Sequence, residues 1–362
     1  MTNKIKDIVI TITIPAFIIT LMFINILKKD TDVSLTERRP LAKKPELTIK
    51  NILDGSFMTS FDKYTTDQFY HRDEFRLLKA RIDITTQNNY HNLYYYEDYI
   101  IEQIYPLNIS SVVSLSKKIT NIKNTYLDSS NNIYLSIIPD KNYFVNDNNL
   151  KLDYSTLTNT LINNLSYATY IDIFEELSLT DYYKTDPHWK EENLLKVANK
   201  IINAIENKQI SYSYTKEYLT SFTGAYTGRI PNIKSSTDDI YILTNSILSN
   251  ALVYNYETNT YTSIYDKIKL SGSDLYDVYL SGSVPLITLI NNNTNTTKEL
   301  IIFRDSYTSS LAPLLLPYYS KITLVDTRYI SPKILSNYID FKNKDILFIY
   351  STLLINNSVS IK

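Results

Sequence analysis

The chain contains no cysteine in its 362 residues. That excludes disulfides, iron–sulfur clusters, zinc–thiolate sites and a cysteine nucleophile in one step. It also suits an oxidising or extracellular location, where a free thiol is a liability. Glycine occurs five times and never as GxGxxG or GxxxxGK[ST], so no Gly-rich phosphate loop is present. Histidine occurs three times, with no ligand cluster at familiar spacing, and no metal site is expected. Charge of either sign is not in excess: 37 basic and 38 acidic residues leave a net −1. Nothing in that balance points to nucleic acid.

What is present is globular in composition, 44% hydrophobic and 21% charged. The 33 tyrosines invite a sugar-stacking reading. They accompany many Asn, Ile and Lys residues, and a genome rich in A and T explains most of that bias. One stretch departs from globular composition. Ile8 to Leu27, "IVITITIPAFIITLMFINIL", carries no charge. As a helix it would span roughly 30 Å, the thickness of a bilayer core. Pro15 is tolerable in a membrane helix. Lys4 and Lys6 precede the run and Lys28 and Lys29 follow it, so charge bias orients it only weakly. A cleaved signal peptide is the rival reading, but no small-x-small cleavage site follows. The expected layout is a tail (1–6), a transmembrane anchor (7–28), a linker (29–45) containing Pro40 and Pro45, and a body (46–362). The tail is too short to fold, which puts the body outside the cytoplasm.

Within the body, Phe57, Phe61, Tyr64, Phe69, Phe75 and Leu78 are spaced for helical packing. "IYLSIIP" (133–139) reads as a buried strand. "EENLLKVANKIINAIEN" (191–207) places Leu194, Leu195, Ala198, Ile201, Ile202 and Ile205 on one helical face. Residues about 209–285 read as a β-rich section packed beside the rest. Then "ELIIFRD", "KITLVD" and "DILFIYS" alternate with the helical stretches "SYTSSLAPLLLPYY" and "SPKILSNYI". Such alternation predicts an α/β fold with a parallel sheet flanked by helices.

Ser306 stands where "LIIFRD" stops being a strand. That is the carboxyl edge of a parallel sheet, where such folds keep their sites. A helix follows, so its own N–H and the helix dipole can face a developing oxyanion. A serine hydroxyl needs a base. Of His71, His91 and His188, only His188 has a carboxylate two residues before it, Asp186, in "YYKTDPHWK". Asp186 could hold one imidazole nitrogen while the other takes the proton of Ser306. Each motif also reads as a helix cap: Asp305 or Ser306 accepting from a first-turn N–H, and Asp186 doing the same with Pro187 early in a helix. The local sequence leaves both readings open. His71 reads as a surface or helix-packing residue and His91 as a loop residue.

"TDPHWK" together with "FRDSYTSSLAPLLLPYYSKITLVDTRYI" resembles the bacterial DHHW family. That family is similar to the alginate O-acetyltransferase-like, SGNH-type proteins of the cell envelope. "ERRPLAKKPELT", "DGSFMTSFDKYTTDQFYHRDEF", "IYLSIIPDKNYF" and "YIDIFEELSLTDYYKTDPHWK" extend the resemblance over about residues 35–350. It implies an SGNH-hydrolase-like sheet with permuted motif order, the Asp-x-His pair preceding the serine. It places the nucleophile on Ser306, the base on His188 and its orienting acid on Asp186. Two departures stand out. Pro187 occupies the place of the first histidine of the family name. Ser281, Gly282 and Ser283 stand where the family often has a Gly-Gly-Asn-like or Gly-Gly-Asp-like stretch. Gly282 or Ser283 would then replace an asparagine oxyanion donor, whose loss can cost roughly 3 kcal/mol. Arg328 is a substrate-binding candidate with a structural ion pair as the alternative.

The resemblance implies a membrane-anchored, extracellular O-acyltransferase, acetyl by preference. It would modify a cell-surface polysaccharide and be supplied by a membrane-bound O-acyltransferase partner. An acetyl esterase using the same triad and a non-catalytic polysaccharide-binding scaffold are the alternatives. A serine mechanism needs no cofactor.

Overall fold

The apolar run folds into one helix, α1 (Asn3–Leu27), of which Lys6–Leu27 is long and apolar enough to cross a membrane. The computed structural model describes residues 3–34, 36, 37, 39–146, 149–231, 233, 234 and 236–362. Met1 and Thr2 of the expected tail, Leu35 and Arg38 of the expected linker, and the side chain of Lys4 lie outside the described residues. The chain forms two units: residues 1–90 with 227–233, and residues 91–226 with 234–362.

The first unit contains α1, α2 (Ile49–Leu53), α3 (Ser56–Asp67) and α4 (Arg72–Gln87). Thr48 caps α2 by accepting from the Asn51 N–H at 3.2 Å. Charge holds much of this unit together. Asp67 is buried and takes a two-pronged contact from Arg39 at 2.8 and 2.6 Å, plus the Ala42 N–H at 2.9 Å. Glu37 gathers Arg72 at 2.6 Å and Arg76 at 3.2 Å. The helices expected from the Phe/Tyr spacing are present, but the spacing does not mark a core. Phe61, Phe69, Phe75 and Leu78 are all exposed, and the buried residue of α4 is Ala80. A helical period identifies one apolar face. It does not identify what covers that face.

The second unit is built on an eight-stranded sheet. Its elements in chain order are α5 (Ile109–Tyr126), β1 (Ile133–Ile138), α6 (Tyr154–Asn164), β2 (Thr169–Ile171), α7 (Leu195–Glu206), β3 (Leu252–Asn255), β4 (Thr260–Thr262), β5 (Leu286–Ile290), β6 (Glu299–Arg304), α8 (Thr308–Leu315), β7 (Lys321–Val325) and β8 (Asp345–Ser351). The strand order is β4-β3-β5-β7-β6-β8-β1-β2. The run β7-β6-β8-β1-β2 is parallel, as the strand–helix alternation predicts. β5, β3 and β4 continue the same sheet antiparallel. Two short strands of the β-rich section, β3 and β4, therefore join the main sheet. The hairpin Thr215–Phe222 with Asp238–Thr244 remains apart from it.

The central strands are apolar at nearly every position because both of their faces are covered. Leu300, Ile302, Leu324, Leu347 and Ile349 face a core shared with Val197, Ala198, Ile201 and Ile202 of α7 and Leu311 and Leu314 of α8. Ile301, Phe303, Val325, Ile346 and Phe348 face a second core, shared with Val112, Leu115 and Ile119 of α5 and Leu157 and Leu161 of α6. Asn108 caps α5 by accepting from the Ser111 N–H at 3.1 Å. Phe303 and Phe348 stack across adjacent strands, with ring centroids 4.7 Å apart. Phe303→Ala leaves a cavity between β6, β8 and α5 and is expected to cost about 3–5 kcal/mol of unfolding free energy, read from urea denaturation.

Candidate active site

The strand β6 ends at Arg304, and the turn Asp305–Tyr307 follows it before α8 starts. Asp305 fixes that turn. One carboxylate oxygen accepts from the Tyr307 N–H at 3.2 Å, the other from the Ser351 N–H of β8 at 2.8 Å. Ser306 is thereby tied to two neighbouring strands at the carboxyl edge of the sheet. Its backbone N–H donates no hydrogen bond among the described residues.

The stretch Tyr182–Lys190 arrives from the other side as a small loop closed on itself. Tyr182 and Trp189 form an isolated antiparallel bridge, and the Tyr183 N–H donates to the His188 carbonyl at 3.0 Å. The α-helix starts only at Leu195, after a 3-10 turn at Glu191–Asn193, so Pro187 holds no helical position. Asp186 therefore caps no α-helix. Its Oδ1 meets His188 Nδ1 at 2.6 Å and the His188 N–H at 3.1 Å, and its Oδ2 accepts from the Ala225 N–H at 2.8 Å. His188 Nε2 lies 2.8 Å from Ser306 Oγ, across 118 residues of sequence. A carboxylate can only accept, so the ring proton sits on Nδ1. Nε2 is left to accept from the serine hydroxyl.

Burial acts to push the Asp186 carboxyl up. The adjacent imidazole and the Ala225 and His188 N–H groups outweigh it and hold the group below the ordinary carboxylate range. It is therefore ionised at neutral pH. The imidazole lies flat on Tyr276, ring centroids 3.8 Å apart and planes within 6°, with Tyr307 on another side at 4.7 Å. The Trp189 indole donates to the Tyr307 carbonyl at 2.8 Å and sits 3.0 Å from Ser310 Oγ, while the Tyr307 hydroxyl donates to the Pro187 carbonyl at 2.8 Å. These bonds tie the histidine loop to the serine turn from both directions.

The other sequence candidates fall as follows. Gly282 closes a run of three left-handed residues, with φ of 56°, 62° and 84° at Leu280, Ser281 and Gly282. A Cβ on Gly282 would lie 2.1 Å from an Asp277 carboxylate oxygen. Ser283 is exposed. Asp277 itself is pushed up to about 6 by partial burial and the nearby Asp274 charge, against the pull of Lys269 and His188. Arg328 is engaged by Asp326 through Nε at 2.9 Å and Nη2 at 2.6 Å, which is the ion-pair alternative. His71 is exposed and pairs with Glu74 at 2.8 Å, and His91 is an exposed loop residue. Among the described residues no group of His, Asp and Glu could hold a metal ion.

Sequence reasoning did not reach Gly224, Tyr276 or Lys141. Scarcity was a usable signal for Gly224, one of five glycines. A Cβ there would lie 2.3 Å from the Asp186 Cβ and 2.6 Å from its backbone N. Lys141 is buried at the start of the short helix Lys141–Phe144 that follows β1, and its ammonium donates to the Tyr183 and Lys184 carbonyls at 3.0 and 3.2 Å.

No family model matches the chain, and no curated protein does. Solved structures do match. A DHHW family protein from Eubacterium siraeum matches with a TM-score of 0.61 and 19% identity, covering 76% of this chain and 96% of that one. The chain has the fold of that DHHW protein. Bacillus cereus PatB1 matches with a TM-score of 0.58 and 16% identity, over 73% of this chain and 96% of its own. Its structure with a sulfonyl adduct gives 0.59 at the same 16% identity, over 73% and 95%.

Two outcomes follow from the geometry. Gly224→Ala is expected to push Asp186 away from the ring and abolish the downfield Nδ1–H proton resonance of His188, with the far-UV circular dichroism kept. Burial drops Lys141 from 10.5 to about 7, although Asp238 and Asp186 pull it back up. The folded state then binds fewer protons than the unfolded state between those values. Stability is expected to rise with pH from about 7 toward 10 on this account. In Lys141→Met that component of the slope disappears, as read from denaturant midpoints across pH.

Proposed function

We propose that the chain is an extracytoplasmic O-acyltransferase, acetyl by preference, that modifies a cell-surface polysaccharide while anchored through α1. The observation that carries this reading is the hydrogen-bonded relay from Ser306 through His188 to Asp186, at 2.8 and 2.6 Å. The resemblance to the DHHW family supplies the acyl chemistry and the polysaccharide. PatB1, which has the same fold, accepts a sulfonyl adduct in one of its structures.

Ser306 Oγ attacks the acyl carbonyl of the donor while His188 Nε2 takes the hydroxyl proton. The imidazolium is stabilised by the ionised Asp186. The proton passes to the leaving group, and an acyl-serine remains. An acceptor sugar hydroxyl then gives its proton to Nε2 and attacks the acyl-serine, and Nε2 passes that proton to Oγ as the acyl–serine bond breaks, which frees Ser306. The unengaged Ser306 N–H, at the start of the turn into α8, faces the oxyanion in both steps. Arg328, already held by Asp326, is the weaker substrate-binding candidate. A membrane-bound O-acyltransferase partner delivers the acyl group in this reading, since an acetyl-coenzyme A pool is confined to the cytoplasm. The alternative with the same relay is an acetyl esterase, in which water replaces the sugar.

A sulfonyl fluoride is expected to label Ser306 alone, read by peptide mass, and Ser306→Ala and His188→Ala should lose the label. A chromogenic acetyl ester offered with an oligosaccharide is expected to give acetylated sugar. Acetate release alone would assign the esterase. A fully active Ser306→Ala protein would sink both readings.

A further inference from the structure

Beyond α1, the first unit exposes a group of apolar residues that are close together in sequence. Leu53 is 82% exposed and Met58 66%, with Ile49 and Ile52 also exposed. These residues lie on α2 and at the start of α3. Their position relative to α1 follows from hydrogen bonds. Gln68, just after α3, accepts from Lys28 Nζ at 3.3 Å through its carbonyl and from the Thr31 N–H at 2.9 Å through its side chain. It also donates to the Thr31 carbonyl at 2.9 Å. The Tyr70 N–H donates to the Asn25 side chain at 2.7 Å, and the Tyr64 hydroxyl to Asp30 at 3.0 Å. The last turn of α1 is thus fastened to the end of α3.

From that fastening α3 runs back along α1. A cleft of about 720 Å³ is lined by Ile18, Leu21 and Met22 of α1 and by Phe61, Tyr64 and Thr65 of α3. Ile18 lies nine residues before Leu27, about 13 Å down the axis of α1. Ser56, twelve residues before Gln68, lies up to about 18 Å down along α3. If α1 crosses a bilayer, the start of α3 and the attached α2 are below the level at which α1 leaves it.

We propose that α2 and α3 form a foot that lies in the headgroup–acyl boundary of the lipid bilayer beside α1. The inference rests on α1 being an anchor and is independent of the Ser306 relay. Continuity with α1 selects lipid as the occupant, because no part of the apolar window of α1 is buried within the chain. A solvent that covers the exposed faces of α1 also covers apolar side chains held at the same depth. The composition fits this boundary. Leu53, Met58 and Phe61 supply the apolar contact, and Phe57, Phe61 and Tyr64 are rings of the kind that settle at interfaces. Lys50 and Lys63 can reach back to the headgroups along their alkyl stems. The exposure of Met58 and Phe61 is then explained by lipid instead of by a protein core.

The absence of cysteine makes the test clean, since any introduced thiol is unique. The full chain is reconstituted in phosphatidylcholine vesicles with a nitroxide on Leu53→Cys, Met58→Cys, Ile14→Cys or Tyr261→Cys. Collisions with oxygen and with a water-soluble nickel chelate are compared by power saturation. Labels at 53 and 58 are expected to lose chelate accessibility and gain oxygen accessibility, like the label at 14 and unlike the one at 261. Chelate-accessible labels at 53 and 58 beside a protected label at 14 would overturn the foot while leaving the anchor. A face built for a protein partner would give that result in pure lipid. Chelate access at 14 as well would overturn both.

Discussion

A carboxylate shut away from water must have its charge answered by its own chain, and the second unit is arranged around that demand at Asp186. An uncompensated buried charge costs several kcal/mol. Asp186 is fully buried, and its donors come from two places: the His188 ring and N–H within its own loop, and the Ala225 N–H 39 residues on. The second donor is within reach only because residue 224 has no side chain. Thr185 completes the fastening. Its hydroxyl accepts from the Gly224 N–H at 2.6 Å and donates to Asp238 at 2.5 Å, and Asp238 also takes the Lys184 and Thr185 N–H groups. Asp238 begins the second strand of the separate hairpin. The hairpin outside the main sheet therefore braces the acid that orients the imidazole.

The same loop is anchored on its other side by one aromatic residue. Trp189 is fully buried, and its indole N–H reaches Tyr307 at the end of the serine turn and Ser310 in the first turn of α8. Tyr276 stacks beneath the ring of His188 and sits 2.8 Å from Ser310, the hydroxyl that Trp189 also meets. A histidine held by a carboxylate at one nitrogen, a flat ring below and a serine at the other nitrogen keeps little rotational freedom. Such preorganisation lowers the cost of placing the base in the proposed reaction.

Much of this was legible in the sequence, for local reasons. The parallel strands announce themselves as uninterrupted apolar runs, and Ser306 and His188 could be paired because so few bases exist in the chain. The antiparallel extension was less visible. "LVYN" and "LITLI" are short, and pairing partners between short strands are set by tertiary contacts instead of by composition. Gly224 and Tyr276 were missed because their roles depend on where Asp186 and His188 arrive in space. The spacing of Phe57, Phe61 and Tyr64 marks a helix whose rings pack on one another, Phe57 on Phe61 at 5.7 Å and Phe61 on Tyr64 at 6.2 Å, but periodicity alone does not say how deeply that face is covered.

The Ser281–Gly282–Ser283 departure can be weighed through the backbone. Three consecutive left-handed residues are unusual, and each non-glycine one costs on the order of 1 kcal/mol. The segment persists because its neighbours fix it: the Leu280 N–H donates to the Ile264 carbonyl at 3.0 Å, and the Ser281 hydroxyl to Asp266 at 2.8 Å. Gly282 is demanded twice, by its φ and by the Asp277 carboxylate in the place of a Cβ. Ser283 is demanded by neither, since its side chain faces solvent. The glycine of the family-like stretch is thus kept by geometry, while the position that would carry an asparagine is free to differ. In the proposed reaction that shifts the oxyanion onto the Ser306 N–H. Its donor capacity is intact because Asp305, and not Ser306, ties the turn to the sheet.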